Sequence, residues 1–253
     1  MHKTEILDVG ISTGAFDSLL SEITDLPGKK PSSYVCFANV HMLVEAYLNP
    51  TFKNIVNKAD IVTPDGRPLS LYLKYFRGIN QDRVAGMDFM PKLLERASQK
   101  SQSVFLYGST PEILKSIIET ANKELPSLKI CGAISPPFRP LTPDEKKRDA
   151  QIINNASPDF ILVSLGCPKQ ETWMYENHLK INGCMLGLGQ AFLVYAGVEG
   201  RPPKWIRDFS MEWIYRLYRE PRRLWKRYLY TNSIFLWLIF RNHFKPSRIL
   251  KNS

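Results

Sequence analysis

The chain reads as an α/β protein: an open, mostly parallel sheet with helices on both faces, a Rossmann-like arrangement, followed by a basic, aromatic-rich helical appendage. Three observations predict it. Short apolar runs without polar alternation recur between helical patterns, as expected of parallel strands buried on both faces. Helix-start signals stand where the runs give way to helices. Basic and aromatic content then rise together near residue 200, so the expected division is 1–200 for the α/β domain and 201–253 for the appendage.

The elements come in order. Tyr34–Ala38 is the first strand, and Met42–Val56 has the pattern of a helix. Ile61–Thr63 is the second, running into Pro64-Asp65-Gly66, a strong turn signal because Pro presets φ and Gly accepts positive φ. A helix over Asp88–Gln99 precedes the third strand, Val104–Tyr107. Ser109-Thr110-Pro111-Glu112 then offers N-cap candidates and a first-turn proline for a helix over Pro111–Glu124. Lys129–Ala133 is the fourth strand, and Leu141-Thr142-Pro143-Asp144-Glu145 repeats the start signal for Pro143–Asn154. Phe160–Leu165, a helix over Gln170–Leu179, and Cys184–Leu188 complete the alternation. Beyond Arg201, Trp213–Arg219 and Pro221–Phe240 read as two helical segments broken at the proline.

Charge is unevenly placed. The net charge of +10 resides in the appendage, which holds 13 of the 34 Lys and Arg but 3 of the 24 Asp and Glu, so residues 1–200 are neutral. Four of the five tryptophans (Trp205, Trp213, Trp225 and Trp237) lie there too. Trp225, Tyr228, Leu229, Asn232, Leu236 and Ile239 recur at roughly helical spacing behind Arg222, Arg223, Lys226 and Arg227. That composition suits an anionic lipid interface, a terminal helix docked on the domain, or nucleic acid. The cysteines (Cys36, Cys131, Cys167 and Cys184) are scattered without a C-x-x-C pair and read as reduced core residues of a cytosolic protein. The amino terminus has no signal-peptide h-region. The longest strongly apolar run, Ile234 to Phe240, is far short of the ~20 residues of a spanning helix.

Open α/β sheets bind ligands at the carboxyl ends of their strands, so the loops after the strands are the candidate site. They carry Asn39 and His41; Asp65; Gly108 and Ser109; Gly166-Cys167-Pro168-Lys169-Gln170-Glu171; and Gly187-Leu188-Gly189-Gln190. Gly108-Ser109 and Gly187-Leu188-Gly189 precede helix starts, where backbone N–H groups can hold a phosphate. Neither completes a dinucleotide fingerprint, and there is no G-x-x-x-x-G-K-[ST] and no G-x-S-x-G. Asp-x-Asp and His-x-x-x-His are absent, so neither a catalytic metal nor another cofactor is expected. Arg83 follows a polar loop, where the bland alternative to a site residue is a surface ion pair.

Asn39, Pro64-Asp65-Gly66, Arg83-Val84-Ala85-Gly86 with Asp88, Gly166-Cys167-Pro168-Lys169-Gln170-Glu171, Gly187-Leu188-Gly189, Arg201-Pro202-Pro203, and Glu212-Trp213-Ile214-Tyr215-Arg216-Leu217 with Glu220-Pro221-Arg222 occur in one order. In that order the chain resembles the WecG/TagA/CpsF family of bacterial glycosyltransferases from about residue 5 to about residue 230. The resemblance implies an inverting transfer of a sugar from a UDP-sugar co-substrate to a polyprenyl-pyrophosphate-linked sugar at the cytoplasmic face of the membrane. The donor sugar would be of N-acetylmannosamine type, its uronic acid, or glucose. It implies Asp65 as general base, with Asn39, Arg83 and Gln170 as polar site residues. Arg216 and Arg222 would belong to an appendage closing over the site. Gly108, Ser109, Gly187, Gly189 and Gln190 complete the expected substrate-binding set. A homo-oligomer is compatible, and nucleic acid is the alternative partner. The chain departs from the family at Phe37, often Thr, and at Gln190 and Leu193, where Gly and Asp are common. These positions are expected near the donor.

Overall fold

The computed structural model describes residues 2–200, 203, 206 and 212–243. Expectations placed on Arg201, Pro202 and Trp205, and on the side chains of Trp213, Arg216, Arg223 and Arg227, lie outside the described residues. The chain opens with a hairpin of β1 (His2–Ile6) and β2 (Val9–Thr13). Leu7 and Asp8 between them both have positive φ, 51° and 62°, the primed turn geometry that matches strand twist. Helix α1 (Phe16–Lys29) comes next. The sequence pattern assigns no element to this region, because Leu-Asp is a weak turn signal and Pro27-Gly28 falls inside the helix.

Each of the six expected strands forms: β3 (Ser32–Ala38), β4 (Ile61–Pro64), β5 (Ser103–Gly108), β6 (Lys129–Ile134), β7 (Phe160–Ser164) and β8 (Gly183–Gly187). They make one parallel sheet in the order β4-β3-β8-β7-β5-β6. From β3 the chain moves outward to β4, then crosses to β5 beyond the places later filled by β8 and β7. The order therefore reverses beside β3, and such reversals create ligand crevices at the carboxyl edge.

The expected helix over 42–56 is two: α2 (Val40–Leu48) and α3 (Pro50–Asn57). Pro50 cannot continue α2 because it lacks an N–H, and Asn49 instead caps α3 by accepting from the Phe52 N–H at 3.1 Å. An unexpected α4 (Arg67–Arg77) starts immediately after the Pro-Asp-Gly turn. Then come α5 (Gly86–Gln99), α6 (Pro111–Glu124), α7 (Pro143–Ala156), α8 (Lys169–Asn177) and the short α9 (Ala191–Tyr195). The two Thr-Pro start signals act as expected: Thr110 caps α6, and Thr142 with Glu145 forms a capping box on α7.

The sheet separates two apolar clusters. Residues of α2, α3, α4, α7 and α8 join one, and residues of α1, α5, α6 and α9 join the other. The appendage forms α10 (Glu212–Arg219) and α11 (Pro221–His243), broken at the expected proline. Phe235 and Leu238 of α11 enter the first cluster, and Arg241 donates to the Tyr47 hydroxyl at 3.0 Å, so α11 lies along α2. Among the described residues no helix is long and apolar enough to cross a membrane.

Candidate active site

The pairing of β3 with β4 ends at Ala38 opposite Pro64, so Asn39 and Asp65 each stand one residue past a registered pair. The Asp65 N–H donates to the Ala38 carbonyl at 2.7 Å, which fixes the turn to the neighbouring strand. Gly66 has φ +112°, a conformation that favours glycine, and with Pro68 it starts α4. Asp65 is therefore half-buried on a bend held at both ends. Asn39 caps α2, its Oδ1 accepting from the Met42 N–H at 3.1 Å. What it can offer a ligand is its Nδ2 amide group.

The loop before α5 is laid against the same corner. Val84 N–H donates to the Pro64 carbonyl at 3.0 Å, and Thr63 Oγ1 donates to the Val84 carbonyl at 3.4 Å. Arg83 consequently sits beside Asp65's strand, where its guanidinium pairs with Asp88. Both side chains of that pair are largely covered, 15% and 22% exposed, so Arg83 is a held cation rather than a loose surface one.

Gln170, a polar site residue by the resemblance, is held among the strand ends. It is buried and fully engaged: Oε1 accepts from the Gly166 N–H at 3.2 Å, while Nε2 donates to the Gly187 carbonyl at 2.9 Å and to Glu171 Oε1 at 2.8 Å. It ties the loop after β7 to the end of β8. Gly187 and Gly189 make room for it, since a Cβ on Gly187 would stand 2.9 Å from Gln170 Nε2 and one on Gly189 3.3 Å from its Oε1.

Three of the amides expected to cradle phosphate are occupied within the fold. The Ser109 N–H donates to the Ser164 carbonyl at 2.9 Å, and the Leu188 and Gly189 N–H groups both donate to the Val163 carbonyl. Gly108 lets β5 close on β7, because a Cβ there would collide with the Ser164 carbonyl. These glycines serve close approach of strand ends. Phe37, expected near the donor, is instead buried edge-on against Phe89, with ring centroids 5.1 Å apart.

Glu171 carries no mark in the sequence of an acid with an unusual environment. It is fully buried, and that burial pushes its carboxyl up to about 7 against the opposing pull of the Gln170 amide, its own backbone and the Cys167 thiol. A glutamate in the first turn of a helix gives no local signal of this, since such residues are usually exposed.

The appendage reaches this edge. A cleft of about 170 Å³ is lined by Met87, Gln190 and Glu199 on one side and by Tyr215, Arg219 and Glu220 on the other. Gln190 Nε2 donates to Glu199 Oε2 at 2.5 Å. Arg222 is exposed in the first turn of α11, and Arg216 lies on α10. The structure thus brings Asn39, Asp65 and Arg83 together, sets Gly187–Gln190 beside them, and leaves Gly108 and Ser109 two strands away from β8. Among the described residues no group of three His, Cys, Asp or Glu side chains is arranged to hold a metal.

The model of the glycosyl transferase WecG/TagA/CpsF family matches residues 4–249. The chain belongs to this family. An N-acetylglucosaminyldiphosphoundecaprenol N-acetyl-beta-D-mannosaminyltransferase of Bacillus spizizenii is 31% identical over 198 residues, 78% of this chain and 75% of that protein. The Bacillus subtilis (strain 168) protein of the same name is 29% identical over 202 residues, 79% and 77% of the two chains. The one from Staphylococcus aureus (strain MW2) is 25% identical over 244 residues, 94% and 92%. As a family member the chain is a glycosyltransferase, and the carboxyl edge with Asp65 is its candidate active site.

Proposed function

We propose that this glycosyltransferase moves an N-acetylmannosamine unit from its UDP-sugar to a polyprenyl-pyrophosphate-linked N-acetylglucosamine, inverting the anomeric carbon, without a metal, at the inner face of the bacterial membrane. The names of the relatives favour this donor over a uronic acid or glucose. The observation that carries the reading is Asp65, a carboxylate on a turn pinned to β3 and flanked by Asn39 and Arg83.

The chemistry comes from these groups. Asp65 takes the proton of the acceptor hydroxyl as its oxygen bonds to the anomeric carbon from the face opposite UDP. The bond from that carbon to the UDP oxygen breaks with its electron pair. Charge then grows on the departing diphosphate, and cations fixed beforehand stabilise it without reorganising. Arg83, held by Asp88, and the arginines of the appendage supply them. Asn39 orients a hydroxyl or the N-acetyl group through its amide. Gln170 acts indirectly, holding the strand ends that shape the floor.

A lipid-linked acceptor accounts for the basic, aromatic appendage, because Lys and Arg meet anionic headgroups while Trp and Tyr sit at the interface. The competing partner is nucleic acid. Co-sedimentation with vesicles containing phosphatidylglycerol decides between them: binding to RNA but not to these vesicles defeats the membrane reading. Transfer that persists undiminished in EDTA supports metal independence, and its abolition refutes it.

A further inference from the structure

We infer that the cleft between α9 and α10 takes the sugar ring of the acceptor, whose pyrophosphate and polyprenyl chain continue along α11. The inference rests on the transferase reading above and assigns one substrate to one part of the site.

Size and charge narrow the occupant. At about 170 Å³ the cleft is smaller than the roughly 300–1,000 Å³ that encloses a drug-sized ligand, so it admits one ring rather than a nucleotide. Its ionisable lining is Glu199, Glu220 and Arg219, an excess of carboxylate that repels phosphate and accepts hydrogen bonds from hydroxyls. The Gln190–Glu199 bond sets two of these polar groups in advance, and Tyr215 adds an aromatic ring and a hydroxyl.

The helix leading away from the cleft selects between the two sugars of the reaction. Glu220 lines the cleft, Pro221 starts α11, and Arg222 lies in the first turn with Lys226 one turn on, both exposed. Exposed Trp225, Leu229, Leu236 and Phe240 come next. At 3.6 residues per turn, positions 222, 225, 229, 236 and 240 share one face, opposite the buried Leu224, Phe235 and Leu238. The apolar stripe from Trp225 to Phe240 is about 22 Å long. Hydroxyl-binding cleft, cation and apolar stripe thus occur in the order in which the acceptor carries sugar, pyrophosphate and polyprenyl chain. A UDP-sugar has no apolar end to match the stripe. A bilayer alone would use the stripe and leave the cleft without a ligand.

Steady-state kinetics on the full-length protein tests this, with a short-chain polyprenyl-pyrophosphate-linked N-acetylglucosamine as acceptor and UDP-N-acetylmannosamine as donor. Tyr215→Ala and Val194→Phe alter the cleft from its two walls. Each is expected to raise the acceptor KM about tenfold, Tyr215→Ala by removing a ring and a hydroxyl and Val194→Phe by filling the cleft, while the donor KM stays at the wild-type value. Binding to phosphatidylglycerol vesicles without acceptor is expected to be unchanged. An equal rise in donor KM would place the donor in the cleft instead. An unchanged acceptor KM in a variant that melts like the wild type would overturn the inference, as would vesicle binding lost in parallel. A wild-type protein that binds UDP-sugar but transfers to no lipid-linked sugar sinks the transferase reading first, whereas normal transfer by both variants sinks only this one.

Discussion

Asp65 and Glu171 are two carboxylates whose surroundings send them to opposite tasks. Asp65 is half-buried on the ligand edge, and Asp65→Asn should lower turnover by roughly 10²–10⁴-fold while UDP-sugar binding, read by calorimetry, is kept. Glu171 is fully buried, with the Gln170 amide on one oxygen, and stays protonated in the folded chain at pH values where the unfolded chain has released its proton. The folded state binds the extra proton between the ordinary carboxylate value of 4.5 and about 7, so stability falls as pH rises through that window. Melting curves from pH 5 to 8 should show a loss on the order of 2–3 kcal/mol in the wild type and a flatter profile in Glu171→Gln. A wild-type profile as flat as the variant's would contradict the assignment. The Pro-Asp-Gly bend was legible as a turn because its chemistry is local. The roles of Gln170 and Glu171 were not, because burial depends on β8, which arrives from a different part of the chain.

Among the elements, strands were easier to foresee than the helices between them. Short continuous apolar runs bounded by turn residues, such as Phe160–Ser164, fit a strand covered on both faces. The missed α4 begins at a turn signal that usually ends an element, and the hairpin lacks the Asn-Gly type of turn. The glycines after β5 and β8 suggested phosphate, but what they permit is close packing of strand ends. Gly187→Ala should therefore cost about 1–3 kcal/mol in urea denaturation by forcing Gln170 and Met174 aside, and a neutral result would refute the packing role. Helix α11 has a buried face and an exposed one. Leu238→Ala on the buried face should cost about 2–5 kcal/mol of stability. A Trp225→Ala and Leu229→Ala double variant on the exposed face should bind vesicles more weakly with its melting temperature unchanged.

At the scale of the whole molecule, charge and sheet topology meet at one edge. The neutral α/β domain supplies a crevice where the strand order reverses, and the appendage reaches that same edge through Tyr215, Arg219 and Glu220, which line one cleft with Met87 and Gln190. The asymmetry of charge was visible in the sequence, but the place where the appendage lands was not, since no local pattern encodes a docking site. The central claim is that this edge transfers a sugar to a lipid-linked acceptor with Asp65 as base. It is tested most directly by incubating the full-length protein with UDP-N-acetylmannosamine and a short-chain polyprenyl-pyrophosphate-linked N-acetylglucosamine and following the lipid product by mass spectrometry. The wild type should convert the acceptor to the lipid-linked disaccharide with one UDP released per transfer, and Asp65→Asn should not. No disaccharide from the wild type, or near wild-type conversion by Asp65→Asn, would contradict the account.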